Sequence, residues 1–191
     1  VSKKIFGKKN IQDSILLAPT LSSMFLEFNI SSMLESLIEK ILNENEFKLI
    51  YRPHPGDIKN QIQQKRIKEI QRKFKKNENF YLDDDISYLK SYQRSKLLIT
   101  DFSGTAYTYA FSTLKPVIFF SKNEQNLSNS EYNNLYFFKD RKSVGKIVTD
   151  LDKMSNQIKD VINDCEVFAE KIKQLRTNRI KYFNCALEQN L

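Results

Sequence analysis

One histidine, His54, lies in a polar run whose residue types could bind an anion. The run is Tyr51-Arg52-Pro53-His54-Pro55-Gly56-Asp57, and a proline stands on each side of the imidazole. Proline fixes the backbone φ angle, so this turn is stiff, and an imidazole can carry a proton to or from a ligand. The run therefore predicts either a ligand-binding turn or a rigid connector whose histidine only packs or faces water.

A second polar run, Asp101-Phe102-Ser103-Gly104-Thr105, favours the first of these interpretations. It leads into a stretch, 106–112, that is predicted to be helical. Glycine permits close approach to the backbone, and the free N–H groups and positive dipole end of a helix attract anions. An ordinary helix cap without a ligand is the alternative for this run alone.

The elements that must position these runs are strands alternating with helices. Short apolar runs predict strands, and apolar residues at helical spacing predict the helices between them. The alternation predicts an α/β, Rossmann-like parallel sheet with helices on both faces and long C-terminal helices. The strands are predicted at 14–18, 47–51, 79–82, 96–100 and 115–120, with a further short one near 135–138, and the chain is predicted to be helical from about residue 143.

Three helix starts are predicted from polar residues that commonly cap helices. Ser32-Met33-Leu34-Glu35 matches the capping box of a helix over 32–43, and Asp57 is predicted to cap the basic helix that follows the second strand. The run Asp83-Asp84-Asp85 could suggest a metal site, but a capped helix N-terminus explains it more simply. We therefore predict no metal site.

In an open parallel sheet, ligands bind outside the carboxyl ends of the strands, where both polar runs fall. We expect a phosphate or diphosphate to lie between the guanidinium of Arg52, the imidazole of His54 and the helix N-terminus. The mechanism that we expect is electrostatic stabilisation of a leaving phosphate, with His54 as proton donor an open alternative. The predicted catalytic residues are His54 and Arg52, and the predicted substrate-binding residues are Thr20, Ser22, Asp57, Asp101, Ser103, Gly104 and Thr105.

The composition of the 191 residues predicts one domain, with a core over about 14–140 and C-terminal helices over about 141–188. No apolar run reaches the length of a membrane span and no signal segment is recognisable, so we expect a soluble, cytoplasmic protein. The missing initial Met suggests a piece of a longer chain. Cys165 and Cys185 would be about 30 Å apart in one continuous helix, too far for a disulfide.

The net charge of +8 is concentrated in two stretches, 59–76 and 171–181. Such clusters attract nucleic acid, an anionic membrane face or phosphorylated substrates, and they also occur on simple solvated helix faces. A basic nucleic-acid-binding module is therefore an alternative function. It is disfavoured because the only aromatic residue within the first stretch, Phe74, fits a core stripe and leaves bases no stacking platform.

Three segments, in this order, resemble the C-terminal half of the CDP-glycerol glycerophosphotransferase-like enzymes. They are Leu16-Leu17-Ala18-Pro19-Thr20, Tyr51-Arg52-Pro53-His54-Pro55 and Ile99-Thr100-Asp101-Phe102-Ser103-Gly104, followed by the strand Lys115-Pro116-Val117-Ile118-Phe119-Phe120. The resemblance covers about residues 14–121, and Arg-x-His-Pro is its most specific element. At the position of Ser103-Gly104 the family commonly has Ser-Ser, and at the position of Thr108 it commonly has an acidic residue.

The resemblance implies a GT-B fold whose C-terminal domain binds a nucleotide-activated donor, CDP- or UDP-linked, as substrate, with no cofactor. It implies transfer of a glycosyl or glycerol-phosphate group in capsule, teichoic acid or lipopolysaccharide synthesis. His54 and Arg52 would meet the donor phosphates, and Ser103 and Thr105 the nucleotide diphosphate. An N-terminal acceptor-binding domain would complete the enzyme, and the basic faces would allow peripheral contact with the cell membrane. A nucleotide-sugar epimerase of similar fold is the alternative enzyme.

Overall fold

The computed structural model describes residues 13–180, which form one six-stranded sheet with helices on both faces. All the strand pairs are parallel, and the strand order is 3-2-1-4-5-6. This is the order of a Rossmann-type sheet, so the predicted fold class is confirmed. The strands are β1 (Ser14–Leu17), β2 (Lys48–Tyr51), β3 (Phe80–Leu82), β4 (Ser95–Thr100), β5 (Val117–Phe120) and β6 (Gly145–Val148).

The helices fill the connections between these strands and continue after the last one. Short 3₁₀ turns at 31–33, 131–134 and 151–153 precede the α-helices that begin at Leu34, Tyr136 and Met154. The α-helices are α1 (Leu34–Glu44), α2 (Pro55–Lys59), α3 (Gln61–Phe74), α4 (Leu89–Arg94), α5 (Thr105–Thr113), α6 (Glu124–Ser128), α7 (Tyr136–Lys139), α8 (Arg141–Val144), α9 (Met154–Asn163) and α10 (Cys165–Arg179).

Two cores lie on the two faces of the sheet because successive strand residues point to opposite sides. Ile15 and Leu17 of β1 pack with α1, α3 and α9, whereas Leu16 between them packs with α4, α5 and α10. Both faces are covered, which explains why the strands are continuous apolar runs rather than alternating ones. This double layer fixes the strand ends that carry the polar runs.

The segment after β5 differs from the prediction in two places. The short strand near 135–138 is instead the helix α7, and the helix expected from residue 143 is interrupted by β6, which pairs with β5. β6 is a four-residue edge strand with half-buried Lys146 and Ile147. It therefore has too few apolar residues to be recognised as a strand from the sequence. Gly145 permits the pairing, since a Cβ there would lie 1.7 Å from the carbonyl oxygen of Val117.

None of the three predicted helix caps is formed. Ser32 lies in a 3₁₀ turn, and α1 begins at Leu34 without a side-chain cap. Asp57 lies inside α2, whose cap is His54, while Asn60 caps α3 through the N–H groups of Ile62 and Gln63. The predicted cap is wrong because the chain breaks into two helices there, each with its own capping residue.

The aspartate run ends before α4 begins and therefore caps no helix. Asp83 is buried against Arg52, and Asp85 accepts a hydrogen bond from the N–H of Ser87 at 3.3 Å. Asp83 forms an ion pair with Arg52, which is distant in sequence, instead of capping a nearby helix. Sequence spacing cannot reveal such a contact.

The C-terminal helices are separated at Asp164 rather than continuous. Ile158, Val161 and Ile172 are buried, whereas Cys165 is exposed. The prediction for Cys185, and those for residues 1–12 and 181–191, lie outside the described residues. Within residues 13–180 no helix has both the length and the apolarity to cross a membrane.

Candidate functional site

A cavity of about 600 Å³ opens at the carboxyl ends of β1, β2 and β4. The strand order reverses between β1 and β4, and a crevice at such a switch point is the usual ligand site of an open α/β sheet. We call it the inner cavity. It is lined by Ala18, Pro19, Thr20, Met24, Phe25, Arg52, Pro53, His54, Pro55, Ile86, Tyr88, Tyr92, Phe102, Ser103, Gly104, Thr105 and Thr108.

The orientation of the His54 ring is set by the backbone that follows it. Its Nδ1 accepts a hydrogen bond from the N–H of Gly56 at 3.0 Å, which caps α2. Because Nδ1 must keep a lone pair for this bond, the proton of the neutral ring is on Nε2. His54 therefore has Nε2–H as the ring donor available to a ligand in the inner cavity.

The N-terminus of α5 forms the opposite part of the lining. Gly104 is the cap residue and makes no side-chain hydrogen bond, and the Thr105 N–H makes only a 3.4 Å contact with the Ser103 Oγ. Gly104 has φ −60°, and a Cβ there would meet nothing within 4 Å. Neither backbone conformation nor packing requires this glycine, and the missing side chain leaves the N-terminus of α5 open to the inner cavity.

Arg52 lies in the cavity wall, but its guanidinium is largely engaged by the protein. Nη1 donates to the Asp83 carboxylate at 2.7 Å, and Nη2 donates to the Asp85 carbonyl oxygen at 2.9 Å. The two charged side chains are only 11% and 2% exposed. The segment 83–86, which we call the aspartate loop, is thus held by Arg52. The ion pair with Asp83 also reduces the positive charge that Arg52 can offer to a ligand in the inner cavity.

Asp101 and Asp57 face away from the inner cavity and hold the loop that follows β1. The Asp101 carboxylate accepts from the N–H of Thr20 at 2.8 Å and of Ile30 at 2.9 Å. Asp57 accepts from the Ser22 Oγ at 2.6 Å and from its N–H. Of the predicted substrate-binding residues, Thr20, Ser103, Gly104 and Thr105 therefore line the inner cavity, whereas Ser22, Asp57 and Asp101 support its wall.

Replacement of Asp101 by Asn should loosen this wall. Burial raises the pKa of Asp101, and the N–H groups of Ile30 and Thr20 oppose that rise by stabilising the carboxylate. Asn offers one acceptor oxygen, so one of the two N–H groups would face an amide NH₂. We expect Asp101→Asn to lower the free energy of unfolding by about 1–3 kcal/mol. Urea denaturation measures this, and unchanged stability would contradict the clamp.

Several cavity residues were not among the predicted site residues. They include Ile86, Tyr88 and Tyr92, which follow the aspartate run, and Phe102, which lies between Asp101 and Ser103. Tyr92 is mostly buried, which raises its pKa, and a hydrogen bond with the Thr105 hydroxyl opposes that rise. The exposed aromatic Tyr88 within a polar segment was the available signal.

The described part of the lining includes no carboxylate. Likewise, residues 13–180 include no group of three or more His, Cys, Asp or Glu side chains arranged around one metal position. The inner cavity can therefore offer an anion N–H and hydroxyl donors without a repelling charge on its surface.

Sequence comparison assigns the chain to a family. Residues 23–174 match the model of the LIC12162 family transferase, and this range includes the whole inner cavity apart from Ala18, Pro19 and Thr20. The chain belongs to this transferase family. No curated protein sequence matches the transferase significantly.

Solved structures with the same fold include enzymes of nucleotide-linked substrates. The wall teichoic acid polymerase TagF matches with a TM-score of 0.57 and 19% identity over 88% of this chain and 38% of its own. The UDP-GlcNAc 2-epimerase of Methanocaldococcus jannaschii, in complex with UDP-GlcNAc and UDP, matches at 0.51 and 18% over 81% and 40%. The S. aureus MnaA-UDP structure matches at 0.52 and 17% over 90% and 43%.

These structural matches show the fold of the described residues, a Rossmann-like α/β domain that matches part of GT-B glycosyltransferase structures. The described domain spans about two fifths of the length of each matched protein. At such identities the matches do not extend to substrate or reaction, which must be argued from the inner cavity itself.

Proposed function

We propose that this domain binds the diphosphate of a nucleotide-activated donor in the inner cavity. The observation that carries the proposal is the convergence of His54 and the N-terminus of α5 on one cavity at the switch point of the sheet. An imidazole N–H, two hydroxyls and backbone N–H groups are donors suited to phosphate oxygens. A volume of about 600 Å³ is within the range of nucleotide-sized ligand sites.

The chemistry proposed is transfer of a glycosyl or glycerol-phosphate group, with the nucleotide as leaving group. Negative charge grows on the leaving phosphate as its bond to the transferred group breaks. The donors at His54 and α5 are placed to stabilise that charge. Proton donation by His54 would require the imidazolium form, whose Nδ1–H could not accept the Gly56 N–H, so the electrostatic role is the one proposed.

The donor class and the pathway are part of the same proposal. The family match supports a transferase, and the fold shared with TagF supports a donor such as CDP-glycerol or a UDP-linked sugar in cell-envelope polymer synthesis. An acceptor-binding domain elsewhere in the full-length protein is proposed to complete the reaction, since the matched proteins are more than twice as long as the matched region.

Calorimetry on the full-length protein tests nucleotide binding. We expect CDP, UDP or GDP to bind with a dissociation constant below millimolar and CMP to bind more weakly than CDP, because the second phosphate adds contacts. Thr105→Ala should weaken binding about tenfold, the value of one hydrogen bond to a charged group, and Thr177→Ala on the exposed side of α10 should not. A folded protein that binds none of these nucleotides at millimolar concentration would refute the proposal.

The epimerase alternative is supported by the fold but not by the cavity. Proton abstraction at a sugar carbon needs a base. The described lining of the inner cavity includes no carboxylate, and the Nδ1 lone pair of His54 already accepts the Gly56 hydrogen bond. The exposed carboxylates of Glu27 and Glu131 lie outside this cavity. The transferase reading therefore fits the inner cavity better.

The nucleic-acid alternative is weakened by the packing of the basic helix α3. Lys73 forms ion pairs at 2.9 Å with both Glu35 and Glu39 of α1, and Phe74 is buried in the core. The helix offers exposed cations but no aromatic platform for bases. Those cations fit better with the proposal of peripheral contact with an anionic membrane face.

A further inference from the structure

A second cavity, of about 650 Å³, adjoins the inner cavity and takes no part in the phosphate site. We call it the outer cavity. It is formed by the loop after β1, at 23–28, and by the 3₁₀ turn region at 130–132. Met24 and Phe25 line both cavities, so the two spaces are separated by a shared wall.

The chemistry of the outer cavity is opposite to that of the inner one. It has two exposed carboxylates, Glu27 and Glu131, and no cationic residue among its lining. Carboxylates accept hydrogen bonds from hydroxyl groups and repel phosphate, whereas the inner cavity has donors and no carboxylate. A substrate with an anionic part and an uncharged, hydroxyl-rich part would therefore be divided between the two.

Aromatic rings and hydroxyls complete the lining of the outer cavity. The Tyr132 ring lies edge-on to Phe25 at 5.8 Å and to Phe28 at 6.4 Å between ring centroids. Ser23 adds a side-chain hydroxyl, and the Ser130 hydroxyl, which donates to the Leu127 carbonyl oxygen at 2.6 Å, can still accept a hydrogen bond. Apolar ring surface with a few polar groups is the usual lining of a small-molecule site, and here it suits the C–H face and the hydroxyls of a sugar or polyol.

The shared wall is fixed without a ligand. Asn29 Nδ2 donates to the Met24 carbonyl oxygen at 2.7 Å, and Asn123 Nδ2 donates to that of Glu27 at 2.7 Å. Phe25 has φ 51°, a left-handed conformation that is unfavourable for a non-glycine residue, and the centroid of its ring lies 4.0 Å from that of Phe102. The surrounding contacts therefore hold this ring at the junction of the cavities.

We infer that the outer cavity binds an uncharged, hydroxyl-rich glycosyl or polyol group next to the phosphates. This inference rests on the proposed function and extends it to the part of the substrate that the inner cavity does not hold. The group belongs either to the donor, as the portion transferred, or to the acceptor. Glu27 and Glu131 accept hydrogen bonds from its hydroxyl groups, and the Tyr132 ring packs on its carbon face.

Calorimetry on the full-length enzyme can separate these contributions. Binding of UDP is compared with binding of UDP-N-acetylglucosamine, and binding of CDP with binding of CDP-glycerol. Maltotriose is the third probe and is added in the presence of saturating CDP. We expect the double variant Glu27→Gln/Glu131→Gln to reduce binding of a donor or of maltotriose about tenfold and to leave binding of free UDP and CDP unchanged. The control Glu69→Gln removes an exposed charge on α3, outside both cavities, and should change nothing.

Each outcome has a defined meaning. A loss confined to UDP-N-acetylglucosamine or CDP-glycerol assigns the outer cavity to the transferred group, and a loss confined to maltotriose assigns it to the acceptor. If the wild type binds nucleotides and the double variant binds every probe with wild-type affinity, the outer-cavity inference alone is overturned. Absence of any nucleotide binding by the wild type would instead overturn the proposed function on which it rests.

Discussion

His54→Asn is expected to lower transfer by the full-length enzyme by about 10²–10³-fold and to leave the fold intact. The Nδ1 of His54 caps α2 through the N–H of Gly56, and Nε2–H is the donor that remains for a ligand. Asn is a strong N-cap residue whose Oδ1 can replace Nδ1, but it has no group at the position of Nε2. The variant thus removes the ligand contact while keeping the helix cap. Steady-state transfer rates and urea denaturation measure the two effects separately.

His54→Ala provides the matched comparison, because it removes both the cap and the ligand contact. It should lose about 1 kcal/mol of stability relative to His54→Asn, with a similar loss of activity. Equal stability of the two variants would show that the cap contributes little. Wild-type transfer rates in His54→Asn would rule out a catalytic contribution from the imidazole.

Much of the fold could be predicted because its strands are buried on both faces. Continuous apolar runs such as 14–17 and 117–120 can only be satisfied between two helical layers, and their alternation with helices selects a parallel sheet. The exception is β6, whose apolar residues are too few to read and whose stability comes from pairing with β5. The breaks at Asn60 and Asp164 likewise divide segments that local spacing reads as single helices.

The candidate site was predictable in position but not in the division of its roles. Strand order brings the ends of β1, β2 and β4 together, which places His54 and Ser103 on one cavity. Sequence spacing cannot show that Asp101 turns back to bind the N–H groups of Thr20 and Ile30, 81 and 71 residues away in the chain. Polar residues near a site therefore divide into those that face the ligand and those that hold the loops, and only tertiary contacts separate the two groups.

Arg52 gives the clearest case of that division, and its replacement should be costly to the fold. Arg52→Met would leave the Asp83 carboxylate, 2% exposed, without its 2.7 Å ion-pair partner. An unpaired buried charge costs about 3–5 kcal/mol of unfolding free energy, whereas Arg52→Met/Asp83→Leu, which removes both charges, should recover most of the loss. The exposed control Arg72→Met should change stability by less than about 0.5 kcal/mol in the same urea titration. If Arg52→Met kept wild-type stability but lost affinity for CDP or UDP, Arg52 would be a phosphate ligand rather than the residue that holds the aspartate loop.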